Sequence, residues 1–452
     1  METLWQDVKY GVRMLAKSPG FTLVAVITLA LGIGANTAIF SMMDAVMLKS
    51  LPVKSPEQLY LIAHSGKIGA EETSNFPLYK QIRDHSQSFS GVIAINPNQW
   101  KVAVGGETEL VSGQVVTGNY YAMLGVNAVL GHTLTAANDE PPGGHPVAVI
   151  SYSYWTRRFA RDPGILGRQI AINRKPFTIV GVTSPEFFGL QVGRSTDITV
   201  PMSMHPQVGS GAELENSAGL WPLTMVGRLN PGVSAEQART ELDPLLQRFL
   251  DQSGMRPQTR ENWVRRIELI PASNGLAELR NQFSEPLRLL MAIVGLVLLI
   301  ACANVANLLL ARADARQREI AIRLALGGSR FRLIRQLLSE GALLGLMGGG
   351  LGLLFASWAA DYLVHFIPQK EAPLTLPFSP DLRILSFTFA LLLVTSILFG
   401  LVPALQATKV DLNPALKGDR RGVGSVRARV RLGKLLVVAQ AAISLILLVG
   451  AG

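Results

Sequence analysis

Four uninterrupted apolar windows constrain this chain more than any other feature. Each is about 20 residues or longer, the length that crosses about 30 Å of hydrocarbon as a helix. The first, Phe21 to Leu48, carries no charge until Asp44. The second runs from Leu287 to Ala311 with Arg288 at its edge, the third from Gly341 to Ala360, and the fourth from Ile384 to Leu405. A fifth starts at Leu435 and stops at Gly452 without flanking polar residues, which reads as a truncated span. Composition agrees: 48% of the 452 residues are apolar and only 16% charged, against about 25% charged in ordinary soluble proteins. Lys9, Arg13 and Lys17 precede the first window as they would a signal peptide. Its apolar length exceeds the 7–15 residues of a signal core, so it is expected to be an uncleaved anchor.

Charge orients the spans. Basic residues gather before the first window, between the second and third (Arg312, Arg316, Arg318, Arg323, Arg330, Arg332, Arg335), and between the fourth and fifth (Lys409 to Lys434). These three segments hold 18 Lys/Arg against six Asp/Glu, and so contain the whole +10 excess of the chain. The positive-inside rule places all three in the cytoplasm. The segment Lys49 to Ser284 holds 21 Lys/Arg and 20 Asp/Glu, is nearly neutral, and is expected outside. The basic residues hug membrane ends, which suits lipid and topology. No zinc-finger, RNP-like or helix-turn-helix pattern accompanies them, so nucleic acid is not an expected partner.

The outer segment reads as mixed α/β. Strands are expected at Leu59–His64, Trp100–Val104, Glu109–Val116, Val147–Ile150, Gln169–Ile172, Phe177–Val182 and Arg265–Ile270, all short and rich in β-branched residues. Helices are expected in "FPLYKQIRDHSQSF", "SYSYWTRRFA" and "SAEQARTELDPLLQRFL". In the last, Ser234 can cap, Gln237 stands at the capping-box position, and Ala238, Leu242, Leu245 and Leu246 keep helical spacing. With the strand-like "LTMVGRL" before it, this unit suggests a small sheet with helices on one face.

Nothing in that segment marks a catalytic or metal centre. Cys302, the only cysteine, lies in the second window, so disulfides cannot staple the outer domain. His64, His85, His132, His145 and His205 are scattered without ligand spacing and read as surface residues. No GxSxG elbow and no GxxxxGK[ST] phosphate loop occur: Gly66-Lys67 is followed by Ile68, and Gly433-Lys434 by Leu435. No cofactor, metal site or catalytic residue is assigned, and the chain does not hydrolyse ATP alone.

In the third window Gly341, Gly345 and Gly349, and likewise Gly348 and Gly352, recur every fourth residue, removing bulk along one helix surface so that another helix can approach. Asn36, Asn304, Asn307 and Glu340 are polar groups in or near spans, where they need partners. Glu340 near the cytoplasmic end suits an interfacial salt bridge or snorkelling as well as it suits ion transport, and no carboxylate stands at mid-membrane for a proton relay.

The link "ARQREIAIRLALGGSR", Ala315 to Arg330, is both basic and apolar. A lone strand there would leave its backbone unpaired. A helix gains the i,i+4 pair Glu319–Arg323 and a stop at Gly327-Gly328. On that helix Arg316, Glu319 and Arg323 form a narrow charged stripe, and the apolar residues cover most of the remaining circumference. It should be clasped between its own bundle and a partner.

"RQREIAIRLALGGSRFRLIRQLLSEGALLGLMGGGLG" resembles the core of the FtsX-like permease module of MacB-type ABC transporters. "SPGFTLVAVITLALGIGANTAIFS", "GNYYAMLGVNAVLGHTL" and "PVAVISYSYWTRRFARDPGILGRQIAINRKPFTIVGVTSPEFFG" resemble the MacB-like periplasmic core domain and its leading span. The chain resembles above all the duplicated orphan permeases of acidobacteria. The resemblance implies that the link docks on a separate ABC ATPase through Arg316, Arg318, Glu319, Ile320, Ile322, Arg323, Ala325 and Gly327, with Leu324 and Leu326 toward the bundle. It further implies a second permease module, either a homodimer or a missing second half, and mechanotransmission to an outer domain. A periplasmic adaptor and an outer-membrane duct are further implied partners. Implied substrates include macrolides, peptides, siderophores and lipoproteins; implied localisation is the bacterial inner membrane with a cytoplasmic N-terminus.

The expected fold is therefore an α-helical membrane bundle of four transmembrane helices plus the start of a fifth, with a large α/β extracytoplasmic domain inserted between helices 1 and 2. Its expected divisions are an amphipathic N-terminal helix (1–19), helix 1 (20–48), the outer domain (49–284), helix 2 (285–311), the coupling link (312–332), helix 3 (333–367), an outer loop (368–383), helix 4 (384–406), a basic linker (407–434) and the truncated helix 5 (435–452). The alternative function is an FtsX-like signalling or scaffold protein that activates an envelope enzyme. The size of the outer domain favours transport over that alternative.

Overall fold

A computed structural model of the chain describes residues 2–192, 194–208, 223–276, 278–315, 330–366 and 381–407, with isolated positions between 437 and 448. Among the described residues the chain forms two compact units: Ala45–Gln282 makes one, and Met1–Asp44, Phe283–Phe366 and the described residues from 381 onward make the other.

Among the described residues the first unit contains twelve strands: β1 (Leu59–Ser65), β2 (Ala70–Glu71), β3 (Thr73–Ser74), β4 (Phe89–Val104), β5 (Glu107–Val116), β6 (Ala128–Gly131), β7 (Val147–Ile150), β8 (Gln169–Ile172), β9 (Lys175–Thr183), β10 (Ile198–Pro201), β11 (Leu223–Leu229) and β12 (Arg266–Pro271). They form a single sheet in the order β12-β1-β11-β4-β5-β10-β7-β9-β6. The expected small sheet is thus a large one. Strand β4 was underestimated because Pro97 between Asn96 and Asn98 reads as a turn, yet the backbone runs straight through it, pairing Pro97 with Gln114 of β5.

Two halves share β4. On one side β12, β1, β11 and β4 pair antiparallel throughout. Helices bridge β1 to β4 and β11 to β12, the arrangement of a split β-α-β fold. On the other side β8 pairs with both β4 and β9. The path β4-β5-β10-β7-β9-β8 therefore returns to β4 as a closed ring, which removes exposed strand edges. Trp100, Val102, Val111, Ile172, Phe177 and Ile198 lie in one buried cluster contributed by strands of this ring.

The helices of this unit follow from local sequence. Asn75 caps Phe76–His85 by accepting from Leu78 N at 2.9 Å, and Ser151 caps Tyr152–Phe159 by accepting from Tyr154 N at 3.1 Å. Ser234 and Gln237 form the reciprocal capping box of Ala235–Gln252. Leu78, Tyr79 and Ile82 join Leu242 and Leu246 against one face of the sheet. The opposite face carries Leu59, Leu61, Ile93 and Val226 with Tyr120 and Tyr121. Alternation along β1, with Ile62 on one side and Leu59 and Leu61 on the other, divides the two cores.

Two histidines expected at the surface are buried: His64 is 3% and His205 2% exposed. His64 sits mid-sheet opposite Ile267. His205 follows β10, and its Nε2 lies 3.2 Å from Asn96 Nδ2. Asn98 Nδ2 donates to Asn96 Oδ1 at 3.2 Å, so the Asn96 amide turns its N–H toward the imidazole, which must accept as the neutral ring. Burial pushes the His205 pKa below the usual value. A depressed folded-state pKa contributes stability above the unfolded value of about 6.5, lost as pH falls through the folded value. His205→Gln should therefore lower stability at pH 7 and flatten its fall on acidification, measured by limited proteolysis of the outer unit as a function of pH.

The second unit is helical. Helix α1 spans Glu2–Ala16 and α2 spans Pro19–Met43, followed by a π-helical turn over Asp44–Leu48. After the outer unit come α3 (Glu278–Ala315), α4 (Arg330–Phe366) and α5 (Leu382–Ala407). Pro19–Met43, Ser284–Arg312 and Leu338–Trp358 are each long and apolar enough to cross a membrane, and Leu382–Leu398 is a shorter apolar stretch. With 38 and 37 residues, α3 and α4 are each about 55 Å long and overrun about 30 Å of hydrocarbon. Of the fifth apolar window only isolated positions between 437 and 448 are described.

Candidate functional site: the helix seams of the membrane unit

Without a water phase between spans, helices associate through close packing and a few hydrogen bonds. Glycine decides where the backbones meet. A Cβ added to Gly34 of α2 would stand 2.8 Å from the carbonyl oxygen of Gly352 in α4, and one on Gly352 would stand 3.1 Å from both Ala30 O and Gly34 N. One turn away, a Cβ on Gly348 would meet Leu29 Cβ at 2.7 Å. Gly345 and Gly349 face a different partner: added Cβ atoms would lie 2.5 Å from Ser396 Oγ and 2.7 Å from Leu392 Cδ1, both on α5. The glycine stripe on α4 is thus divided, with Gly348 and Gly352 against α2 and Gly345 and Gly349 against α5. Gly341 is buried on the same helix.

α2 meets α3 through a third small residue, Gly32, whose added Cβ would be 2.7 Å from Leu298 Cδ1. Beside it the buried Asn36 donates to Gly32 O at 2.8 Å and across to Val294 O of α3 at 2.9 Å. This satisfies a polar group that would be costly to leave unpaired in hydrocarbon. Thr37 Oγ1 and Thr388 Oγ1 of α5 are 3.2 Å apart, and the Phe40 and Phe387 rings stack at 4.0 Å. Away from these contacts the helices expose apolar side chains, such as Leu23, Ile27, Leu351, Leu354, Phe389 and Leu393. Outward-facing apolar side chains, with Asn36, Thr37 and Thr388 buried at helix–helix contacts, are the pattern of spans in lipid.

Charged groups sit at the two ends. At one end Asp44, 2% exposed, is 3.5 Å from Arg383 Nη1 on α5. At the other, Arg312 in the last turn of α3 donates through Nη2 to Met14 O of α1 at 2.5 Å and lies over the Phe21 ring of α2 at 4.9 Å. The acceptor is one of the last carbonyls of α1, which have no partner within their own helix. Thr22 Oγ1 completes the elbow by donating to Leu15 O at 2.8 Å. Glu340 is 3% exposed. In the fifth window Gln440 Nε2 donates to Asn304 Oδ1 at 3.1 Å.

The coupling residues Arg316, Arg318, Glu319, Ile320, Ile322, Arg323, Ala325 and Gly327 lie outside the described residues. Arg312, four residues before them, was expected only as part of a basic loop; its role at the elbow depends on a tertiary contact that spacing does not reveal. Among the described residues no group of three or more His, Cys, Asp or Glu could hold a metal ion.

Long apolar helices with a large α/β unit inserted between the first and second of them define a membrane permease with an extracytoplasmic domain. Residues 22–245 match the MacB-like periplasmic core domain and residues 291–412 the FtsX-like permease C-terminal domain. The chain belongs to the MacB-type permeases. It is 25% identical over 419 residues to the macrolide export ATP-binding/permease protein MacB of Escherichia coli K12, and 24% identical over 419 residues to that of Shigella flexneri. Both alignments cover 89% of this chain and 59% of the relative, so the chain spans less than two thirds of their length. Among solved structures, the periplasmic region of MacB from Actinobacillus actinomycetemcomitans aligns at 14% identity and a TM-score of 0.36, covering 55% of this chain and 97% of that one. The extracellular domain of the noncanonic ABC-type transporter YknZ from Gram-positive bacteria aligns at 12% and 0.35, covering 47% and 99%.

Two substitutions probe the seams. Gly352→Val drives a side chain into the α2 backbone and should cost about 1–3 kcal/mol, whereas Gly350→Val, beside which nothing lies within 4 Å, should change the thermal midpoint of the detergent-solubilised chain little. At the charged end, Arg383→Gln strands a buried carboxylate and should lower that midpoint more than Asp44→Asn, which removes the charge and keeps the shape. Equal effects would mean that leaving the Asp44 carboxylate without Arg383 carries no extra cost.

Proposed function

We propose that the chain is the permease subunit of a MacB-type ABC transporter that transmits the ATP-driven motion of a separate ATPase to its outer domain by mechanotransmission. The observation that carries this reading is the fastening of α2. It touches α4 backbone to backbone, α3 through Asn36 and Gly32, and α5 through Thr37 and Phe40. A span pinned on three sides moves with its neighbours, so displacement at one end of the bundle is delivered to the other rather than absorbed between helices.

In this reading the N-terminus and the 312–332 link face the cytoplasm, as the distribution of basic residues favours. The ATPase docks on Arg316, Arg318, Glu319, Ile320, Ile322, Arg323, Ala325 and Gly327. The motor is assigned to a separate subunit because the matched segments, residues 22–245 and 291–412, are a periplasmic core domain and a permease domain. A second permease module, from a homodimer or from a second half of a longer chain, completes the bundle. The exported substrate is a drug, peptide or lipid-linked molecule taken from the outer side and passed to an adaptor and outer-membrane duct.

Co-purification tests the coupling. The detergent-solubilised chain should retain an ABC ATPase from a panel that lacks permease domains. Glu319→Ala with Arg323→Ala should reduce retention at least tenfold, equivalent to about 1.4 kcal/mol or more, without lowering the thermal midpoint. Failure to retain any ATPase with ATP, ADP or no nucleotide would remove the coupling assignment.

A further inference from the structure

We propose that α1 binds anionic phospholipid, with Lys9, Arg13 and Lys17 taking the headgroup phosphates. The inference goes beyond the permease assignment and does not depend on which ATPase docks.

The faces of α1 are assigned by contact. Gly11 packs on α4, where an added Cβ would meet Leu343 Cδ1 at 2.7 Å, and Leu15 is buried in a cluster with α2 and α3 residues. That side is fully used. Lys9 and Arg13, with Lys17 just past the helix end where its N–H still donates to Arg13 O at 3.1 Å, follow one another at four-residue spacing, which puts them on a single line along the opposite side. All three are exposed, and none has a carboxylate partner among the described residues. Between the packed side and this line runs an apolar shoulder, Val12 and Ala16, with Val12 52% exposed. The two acidic residues of α1, Glu2 and Asp7, fall in its first half, so the end nearest the span is uniformly basic.

Position selects the occupant. Only Lys17 and Ser18 separate α1 from α2. The elbow is held by Arg312 on Met14 O and by Thr22 on Leu15 O. The basic line therefore lies at the level where a span enters lipid, and it cannot swing away without breaking these bonds. An apolar shoulder beside a row of cations is the cross-section of a helix lying in the membrane interface: the shoulder enters the acyl boundary and the cations meet phosphates. A water-facing helix would have no use for the exposed Val12, and an acidic protein partner would leave the shoulder without lipid. Because Arg312 joins α1 to the last turn of α3, lipid held by α1 would also steady the helix that leads into the 312–332 link.

The test uses the full chain in a neutral detergent, with the thermal unfolding midpoint read during titration with phosphatidylglycerol, phosphatidylcholine or inorganic phosphate. Phosphatidylglycerol should raise the midpoint well above the effect of phosphatidylcholine. About 0.5 M salt should erase the difference through screening. Lys9→Gln with Arg13→Gln and Lys17→Gln should cut the lipid-specific increment at least about twofold, whereas Lys101→Gln with Lys175→Gln, exposed cations of the outer unit, should leave it intact. If the triple variant does not fold, the three single variants are read instead. Equal responses to the two lipids would overturn the proposal, as would a full increment in the triple variant or in every single one. A comparable rise with inorganic phosphate would replace lipid binding by a free-anion site.

Discussion

The close approach of Gly34 and Gly352 is the constraint from which the membrane unit follows. Two helices whose backbones nearly touch leave room for no side chain at the crossing, so the register of α2 against α4 is set within a turn. Asn36 then has one carbonyl of α3 in reach, Thr37 meets Thr388, and Phe40 lies on Phe387. A crossing that accepted larger residues would let α2 slide, and these pins would lose their partners together. The same glycine stripe also feeds α5 through Gly345 and Gly349, so α4 packs on both α2 and α5 and commits both.

In the outer unit a single long strand has the comparable role. β4 supplies the edge of the split β-α-β half and a wall of the closed ring, and its even-numbered residues Ala94, Trp100, Val102 and Val104 lie in one continuous core. Trp100 fills the place left by the absent side chain of Gly113 on β5. One sheet thus serves two architectures without a linker between them.

Much of this was legible in the sequence because the signals are local. Apolar length marked the spans, and the capping box at Ser234 marked the start of its helix. The pieces that escaped are those that depend on distant partners. The stretch from Phe89 to Gln99 becomes strand because β11 and β5 flank it, overriding the turn character of Asn96-Pro97-Asn98. His64 and His205 look like any loop histidine until the sheet closes over them. The glycine spacing of α4 announced close packing, but which glycine faces which helix depends on where α2 and α5 lie. Arg312 carried no signal beyond charge, since its acceptor is a backbone carbonyl 298 residues away.

The two ends of the bundle are fastened by different physics. Asp44 and Arg383 form an ion pair in which the carboxylate is buried and the guanidinium is mostly exposed, so separating them leaves a charge in a poorly solvated place. Arg312 reaches a backbone carbonyl of α1 and the Phe21 ring of α2, both neutral groups. The elbow is also the end nearest the link proposed to receive the motor. In the proposed coupling, force entering there would act on the junction of α1, α2 and α3, and the pinned α2 would carry the displacement along its length.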